Sequence, residues 1–374
     1  MSEWKKVRLG EIANYVNEKI DIKAFDTSLY ISTDSMLKDK GGIGTPESIP
    51  ESGKVTKYQH NDILVSNIRP YFKKIWFSNR EGGCSNDVLV FRANDNIDST
   101  FLYYVLSDDS FFDHMMSSAN GTKMPRGNRK LIPSFEIPLP PLSTQHRIAS
   151  ILSRYDSLIE NYQKQIKLLE EAAQRLYKEW FIDLRFPGHE NTKIVEGLPE
   201  GWEKMKVGEL IAKVPRSKQI PTKDYQKKGV IPIIDQSRDY IAGYTDDMES
   251  KVESNEPYIV FGDHTRVLKY VPFPFAKGAD GTQLIMSNNL DLMPQCLLFT
   301  SLVSVDLSNY SYARHFKYLK EEEILVPTAS IAHAFSKHVA KWYAKIQLNR
   351  EQLRILTEAR DRLLPKLMNG EIAV

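Results

Sequence analysis

Residues 143–184, STQHRIASILSRYDSLIENYQKQIKLLEEAAQRLYKEWFIDL, decide the fold. Within them Ile148, Leu152, Tyr155, Ile159, Tyr162, Ile166, Leu169, Ala173, Leu176 and Trp180 recur at alternating steps of four and three. That spacing is the apolar seam of a coiled-coil helix. Pro140-Pro141-Leu142 blocks a helix upstream, Ser143 or Thr144 can cap the first turn, and Pro187-Gly188 ends it. The spacing therefore predicts a helix over about 144–184, roughly 60 Å long at 1.5 Å per residue.

The same seam returns 187 positions later as Phe335, Val339, Trp342, Ile346, Asn349, Leu353, Leu356, Arg360, Leu363 and Leu367. Asn349 and Arg360 interrupt it, and a polar seam residue usually lowers stability while fixing register. Pro365 is expected to kink or end this second helix near Leu364, with Asn369-Gly370 as its stop. Upstream, the opening Trp4-Lys5-Lys6-Val7-Arg8-Leu9-Gly10-Glu11-Ile12 is echoed 198 positions later by Trp202-Glu203-Lys204-Met205-Lys206-Val207-Gly208-Glu209-Leu210. Glu136-Ile137 with Pro140 is echoed 187 positions later by Glu323-Ile324 with Pro327. The chain thus reads as two copies of one plan: an opening motif, a divergent body and a shared helical tail. An antiparallel pair of long helices is the economical topology, because the chain must traverse the second body before the second helix begins. Packing of each helix lengthwise on its own body is the alternative.

These readings give an α+β chain with an internal pseudo-twofold repeat: a first globular domain over 1–142, a spacer helix over 143–186, a linker and second domain over 187–327, and a second helix with its tail over 328–374. Strand-like runs are Asp62–Ser66 and Asp87–Phe91 in the first body, and Gly229–Ile234 and Pro257–Phe261 in the second. A helix is expected around Thr100–Met116, and the Gly- and Pro-rich stretch 187–201 reads as linker.

Among 374 residues, 41% are hydrophobic and 26% charged, and mean hydropathy is −0.40. These values are ordinary for a soluble globular protein, and a cytoplasmic location with no membrane partner is expected. Cys84 and Cys296 are too few for a disulfide framework or a four-cysteine zinc site and read as buried free thiols. Neither a G-x-x-x-x-G-K-[ST] nor a G-x-G-x-x-G phosphate loop occurs, nor H-E-x-x-H, nor a G-x-S-x-G elbow, nor an Asn-Pro-Pro-aromatic tetrapeptide. No catalytic residue, metal or cofactor is expected. Asp108-Asp109 and Asp246-Asp247 read as solvated turns.

Net charge is only +2, so a polyanionic partner has to be argued from where the charges sit. Between Ser66 and Arg80 there is no acid, while Arg69, Lys73, Lys74 and Arg80 alternate with Tyr71, Phe72, Trp76 and Phe77. Lys123, Arg126, Asn128, Arg129 and Lys130 cluster just ahead of the first helix. In the second copy Arg314, His315 and Lys317 take the equivalent place, and Arg216, Lys218, Lys227, Lys228 and Arg266 add further cations. Such residues grip phosphates or reach base edges. They are the expected DNA-binding set, and the acidic run Asp246-Asp247-Met248-Glu249 is expected to point away from them.

With these motifs in order, the chain resembles the specificity subunit of type I restriction-modification systems. The resemblance rests on Trp4-x-x-Val7-Arg8-Leu9-Gly10-Glu11 and its echo Gly201-Trp202, Gly121-Thr122-Lys123-Met124-Pro125-Arg126, and Ile137-Pro138-Leu139-Pro140-Pro141-Leu142. Further motifs are Gln145-x-Arg147-Ile148-Ala149, Tyr312-Ala313-Arg314-His315-Phe316-Lys317, and Leu363-Leu364-Pro365-Lys366-Leu367 with Gly370-Glu371-Ile372. The second copy departs from the pattern, with Leu325-Val326-Pro327 for the double proline and no clear Gln-x-Arg-Ile, which leaves its helix start open. The resemblance implies two target recognition domains, each reading half of a split sequence in double-stranded DNA, and antiparallel helices that set their separation. It also implies a non-catalytic subunit that assembles with two modification subunits carrying S-adenosylmethionine and with ATP-dependent restriction subunits. Two other classes stay open on the residues alone: a coiled-coil scaffold without a DNA role, and a DNA methyltransferase.

Overall fold

The computed structural model describes residues 4–119, 121, 123–310 and 314–374. Thr122 and Tyr312-Ala313 of the motifs above lie outside the described residues. The chain divides into two compact units, one of Met1–Glu160 with Arg354–Val374 and one of Asn161–Leu353. Each unit therefore holds one body together with part of each long helix.

The first long helix spans Leu142–Tyr177 and widens into a π-helical turn over Lys178–Ile182. Pro141 supplies the carbonyl that accepts from Thr144 and Gln145 at its start (2.9 and 3.0 Å). The buried Gln145 side chain donates to the Pro140 carbonyl (2.9 Å) and accepts from the Asp98 backbone (2.9 Å), which ties the helix start to the body. The second long helix spans Ala329–Met368, so the departing sequence at its N-terminus forms helix all the same, starting on the Thr328 carbonyl. Pro365 does not end it: the helix runs on through Met368. Loss of one N–H and a clash one turn back cost about 3 kcal/mol, but Leu364, Leu367 and Met368 are buried in the first unit's core and hold the last turn in place. Asn369-Gly370 is the stop, with Gly370 in the left-handed region at φ +74°.

In the first unit the strand Lys5–Arg8 pairs antiparallel with Glu136–Leu139, Lys5 opposite Leu139. A four-stranded antiparallel sheet runs in the order Ala13–Tyr15, Val88–Ala93, Ile63–Ser66, Ile75–Phe77, beside a three-stranded sheet of Lys19–Asp21, Lys54–Tyr58 and Gly82–Cys84. The single helix expected around 100–116 is two, Ser99–Ser107 and Asp109–Ser117. Asp108 breaks it: its backbone is extended and its carboxylate accepts from Ser110 N–H as the second helix's N-cap. Phe101, Leu102, Phe111, Phe112 and Met115 from this helix pair pack with Ile148, Ala149 and Leu152 of the first long helix and Leu364 and Leu367 of the second.

In the second unit Glu203–Lys206 pairs antiparallel with Glu323–Val326, Glu203 opposite Val326. Its sheets are Gly243–Thr245, Ile231–Ile234, Phe275–Lys277, Lys251–Val252, with one parallel pairing, and Leu268–Val271, Tyr258–Gly262, Thr282–Ile285. Stretch 187–201 is more than a linker. It holds a 3₁₀ turn at His189–Asn191 and a small hairpin of Ile194–Val195 with Leu198–Pro199, clamped where Phe186 meets Trp202 at 4.7 Å.

Both seams are covered within their units. Ile148, Leu152 and Ile159 are buried and Tyr155, Leu356 and Leu363 half-buried in the first; Val339 and Ile346 are buried and Tyr162, Ile166, Leu169, Leu176, Trp342 and Leu353 half-buried in the second. Each polar interruption finds a partner across the helix pair, although the buried Asn349 amide oxygen has none among the described residues. Arg360 donates to Asp156 (2.7 Å) in the first unit, and the fully buried Asn349 donates to Gln165 (3.1 Å) in the second. In the second unit Gln165 meets Asn349 while Trp180, farther along the first helix, meets Phe335, earlier in the second, so the two run antiparallel there. Helix-on-body packing also occurs, for Tyr343 of the second helix stacks with Tyr270 of the body at 4.8 Å.

Candidate nucleic-acid interface

In the first unit two loops are zipped together by backbone bonds. Ile68 bridges Arg126, Arg69 N–H donates to the Pro125 carbonyl (2.8 Å), and Gly127 N–H donates to the Asn67 carbonyl (3.2 Å). This brings Arg69 beside Arg126, Asn128 and Arg129, residues more than fifty positions away in sequence. Gly127 fits closely at the contact: a Cβ there would lie 2.9 Å from the Asn67 amide oxygen and 3.1 Å from the Ile132 and Met115 side-chain ends, which would have to shift. Arg69 and Lys73 flank the 3₁₀ turn Pro70–Phe72 and both adopt the left-handed region at φ +50°. The turn presents Tyr71 to solvent, and Met124 is similarly exposed.

A third strip, residues 38–40, packs on this turn, with Asp39 N–H on the Phe72 carbonyl (2.9 Å) and Lys40 N–H on the Lys73 carbonyl (3.0 Å). Lys38 lies over the Phe72 ring at 4.2 Å, and Lys40 and Lys73 share Asp109 at 3.1 and 2.7 Å. Partial burial raises the Asp109 carboxyl, but the two ammonium groups outweigh it and hold its pKa below the ordinary value. Lys74 donates to the Thr33 carbonyl (2.7 Å), Arg126 pairs with Asp87 (3.2 Å), and Arg129 donates to the Asn86 carbonyl. Lys123 and Lys130 are exposed. Arg126 and Arg129 are exposed and held by internal partners, whereas Arg69, Lys73 and Lys74 are half-buried.

In the second unit Arg266 sits in a tight turn between paired strands at φ +61°. Its Nε donates to the buried His315 ring (3.3 Å) and its Nη2 to the Tyr310 carbonyl (3.0 Å). Burial and the adjacent guanidinium hold His315 below its usual pKa, so it is a neutral acceptor that orients Arg266. Arg314 and Lys317 flank it, exposed. Lys227 and Lys228 are exposed on a separate loop ahead of the strand Ile231–Ile234, and Arg216 lies on an extended segment near Lys277 and Phe316. The acidic run does not point away from the cations. Lys218 is bound to Asp247 (2.7 Å) and Glu249 (3.3 Å), because the 3₁₀ turn Met248–Ser250 turns both carboxylates onto it. Asp246 and Asp247 are likewise structural, Asp246 accepting from Val230 N–H and Asp247 capping that turn.

Sequence reasoning missed Lys38, Lys40 and Lys277. The first two stand in a Lys-Asp-Lys stretch that reads as an ordinary loop until its backbone docks on Phe72, and Lys277 is a lone cation at the end of a buried strand. Both cysteines are buried free thiols. Among the described residues no group of three His, Cys, Asp or Glu side chains is arranged to hold a metal, and no helix is long and apolar enough to cross a membrane.

Comparison with known proteins gives concordant matches. Residues 1–171 match the family model described as Type I restriction modification DNA specificity domain. The chain is 29% identical over 308 residues to the Type I restriction enzyme MjaIX specificity subunit of Methanocaldococcus jannaschii, across 75% of this chain and 70% of that protein. To the HindI specificity subunit of Haemophilus influenzae it is 22% identical over the full length of both. The crystal structure of the type I restriction-modification S subunit from M. genitalium superposes with a TM-score of 0.62 at 18% identity, covering 98% of this chain and 96% of that one, and so shares its fold.

Proposed function

Because the chain belongs to the family of type I restriction-modification specificity subunits, we propose that it recognises a bipartite target in double-stranded DNA, one half-site per unit, and brings modification and restriction subunits to it without catalysing a reaction itself. The domains are the bodies 1–142 and 187–327, and the helices 143–186 and 328–374 act as antiparallel spacers between them. One observation carries the reading. Lys5–Arg8 with Glu136–Leu139 and Glu203–Lys206 with Glu323–Val326 are four-residue antiparallel pairs in the same register, and each second strand leads into a long helix three residues on. Even the neighbouring glycines correspond, Gly10 facing Pro133 and Gly208 facing Lys320, 198 and 187 positions apart. Two bodies mounted by one device offer equivalent surfaces to two copies of a modification subunit and separate surfaces to DNA.

Within each body the expected readers are Arg69, Lys73, Lys74, Lys123, Arg126, Asn128, Arg129 and Lys130, and Arg216, Lys227, Lys228, Arg266, Arg314 and Lys317, with the buried His315 acting through Arg266. Lys218, neutralised by its two acids, is a weaker member. The test is a genome-wide map of methylated adenine in host cells carrying variant chains. Arg126→Ala with Arg129→Ala is expected to alter one half-site only, and Arg314→Ala with Lys317→Ala the other. Loss at a base-reading position amounts to about 1–3 kcal/mol, whereas loss of a phosphate grip is uniform across sequences and salt-linked. A pair of substitutions that changes both half-sites equally, or methyl transfer by the purified chain alone, overturns the proposal.

A further inference from the structure

Most exposed cations of the second unit with a resolved partner face an acid: Lys206 faces Glu321, Lys218 faces Asp247 and Glu249, and Lys251 faces Glu253. One group does not. A cleft of about 500 Å³ is lined by Lys213, Arg216, Lys277 and Lys320, with Phe316 and Gln283, and no carboxylate is among its lining residues. Its walls are fixed by backbone. Segment 211–220 is held at one end where Ala212 N–H donates to the Met286 carbonyl (2.8 Å) and at the other where Ile220 N–H donates to the Lys277 carbonyl (3.0 Å). Lys277 ends the strand Phe275–Lys277, and Phe316 and Lys320 lie one turn apart on the helix His315–Glu321, with the Lys320 ammonium 5.4 Å from the Phe316 ring.

Half-burial disfavours the charged form of Lys277 and lowers its pKa, with Asp280 opposing. An anion in the cleft offsets that cost. The aromatic floor adds a flat apolar surface of the kind on which a sugar or base rests.

We infer that this cleft binds a phosphate group, and that its source is the DNA backbone beside the half-site taken by the second unit. This rests on the proposed DNA-reading role and adds a backbone clamp separate from Arg266, Arg314 and Lys317. Phosphate grips fix register without reading bases, so the clamp sets how the second unit seats on DNA and leaves its sequence preference alone.

The test uses the full chain with the subunits that co-purify from its host, binding a random-sequence duplex of about 30 base pairs across roughly 50 to 200 mM NaCl. Each phosphate contact contributes about 0.9 to the slope of log K against log salt, or about 3.5-fold in affinity over that range. Lys213→Gln with Lys277→Gln is expected to lower the slope by one to two such contacts, while methylated half-sites stay as in the wild type. Lys251→Gln, whose partner is Glu253, is expected to leave the slope unchanged. Calorimetry with inorganic pyrophosphate separates the two phosphate sources. If the wild type binds pyrophosphate, and the double variant loses that binding but keeps the wild-type DNA slope, the ligand is a free phosphate compound and the DNA assignment is wrong. If the wild type binds duplex and the double variant has the same slope with no pyrophosphate effect, the cleft assignment falls and the DNA-reading role stands. If the wild type shows no salt-linked duplex binding, the DNA-reading role falls and the clamp with it.

Discussion

Arg360→Met tests what the charged break in the second seam does. Arg360 Nη1 lies 2.7 Å from Asp156 Oδ1, the Tyr104 hydroxyl donates to Asp156 Oδ2 at 2.6 Å, and the side chains of Arg360 and Asp156 are 19% and 31% exposed. Burial opposes the charge on Arg360, yet the Asp156 and Asp361 carboxylates outweigh it and hold the guanidinium more firmly charged than usual. A fully buried pair broken on one side loses about 3–5 kcal/mol and an exposed one about 0.2–1. At this intermediate exposure Arg360→Met is expected to cost about 2–3 kcal/mol, since Asp156 keeps only the Tyr104 hydroxyl. Asp156→Leu is expected to cost less, about 1–2 kcal/mol, because Arg360 retains Asp361 at 2.8 Å. With both changed, no charge remains at this break and stability returns to within about 1 kcal/mol of the wild type, a coupling of about 2–5 kcal/mol. Hydrogen-exchange protection of residues 142–160 in the full chain, measured for the wild type, both single variants and the double, gives the cycle. Strictly additive losses would show that the two side chains do not act as a pair, and the account of the polar interruption would be wrong.

Asn349→Leu removes a buried amide whose one described partner is Gln165; a gain of stability with loss of a single helix register, seen as doubled or broadened amide signals, is expected if Asn349 specifies pairing, and unchanged signals would refute that. Lys269, 4% exposed, is pushed down to about 8 by burial, with Asp235 opposing. Its folded pKa lies below the unfolded one, so the unfolded chain binds more protons between about pH 8 and 10, and stability of the second unit is expected to rise there by up to about 1.4 kcal/mol per pH unit. Lys269→Met should flatten that rise in urea titrations, and an identical pH profile would refute the assignment. Four residues inserted after Glu160, with four after Leu353, lengthen each helix by about 6 Å, equivalent to one or two base pairs of duplex. Mapped methylation is then expected to show unchanged half-sites with a longer spacer, and the original spacing in a folded variant would rule out the helices as the ruler.

Periodicity and self-similarity carry information that is local in sequence, which is why both long helices, the paired echoes and the strands around Ile63, Val88, Ile231 and Tyr258 were legible from residues alone. A seam repeating every three and four residues has one economical reading as helix, and a fixed offset of 187 survives any divergence in the bodies. What the sequence left open turns on contacts between distant segments. Asp108 interrupts a plausible helix because its carboxylate can cap the next one, and Pro365 stays helical because three neighbours are buried under it. Local propensity decides neither case, since each is settled by about 1–3 kcal/mol of tertiary packing or capping. The same holds for the site. Basic and aromatic clusters pointed to candidate loops, but only folding docks Lys38 and Lys40 on Phe72, sets Arg266 on His315, neutralises Lys218 with the acidic run, and gathers Lys213, Arg216, Lys277 and Lys320 around one cleft. Charge acts through space with a range of several ångströms, so which cations are free to meet an anion is a property of the fold, and the order of residues along the chain does not contain it.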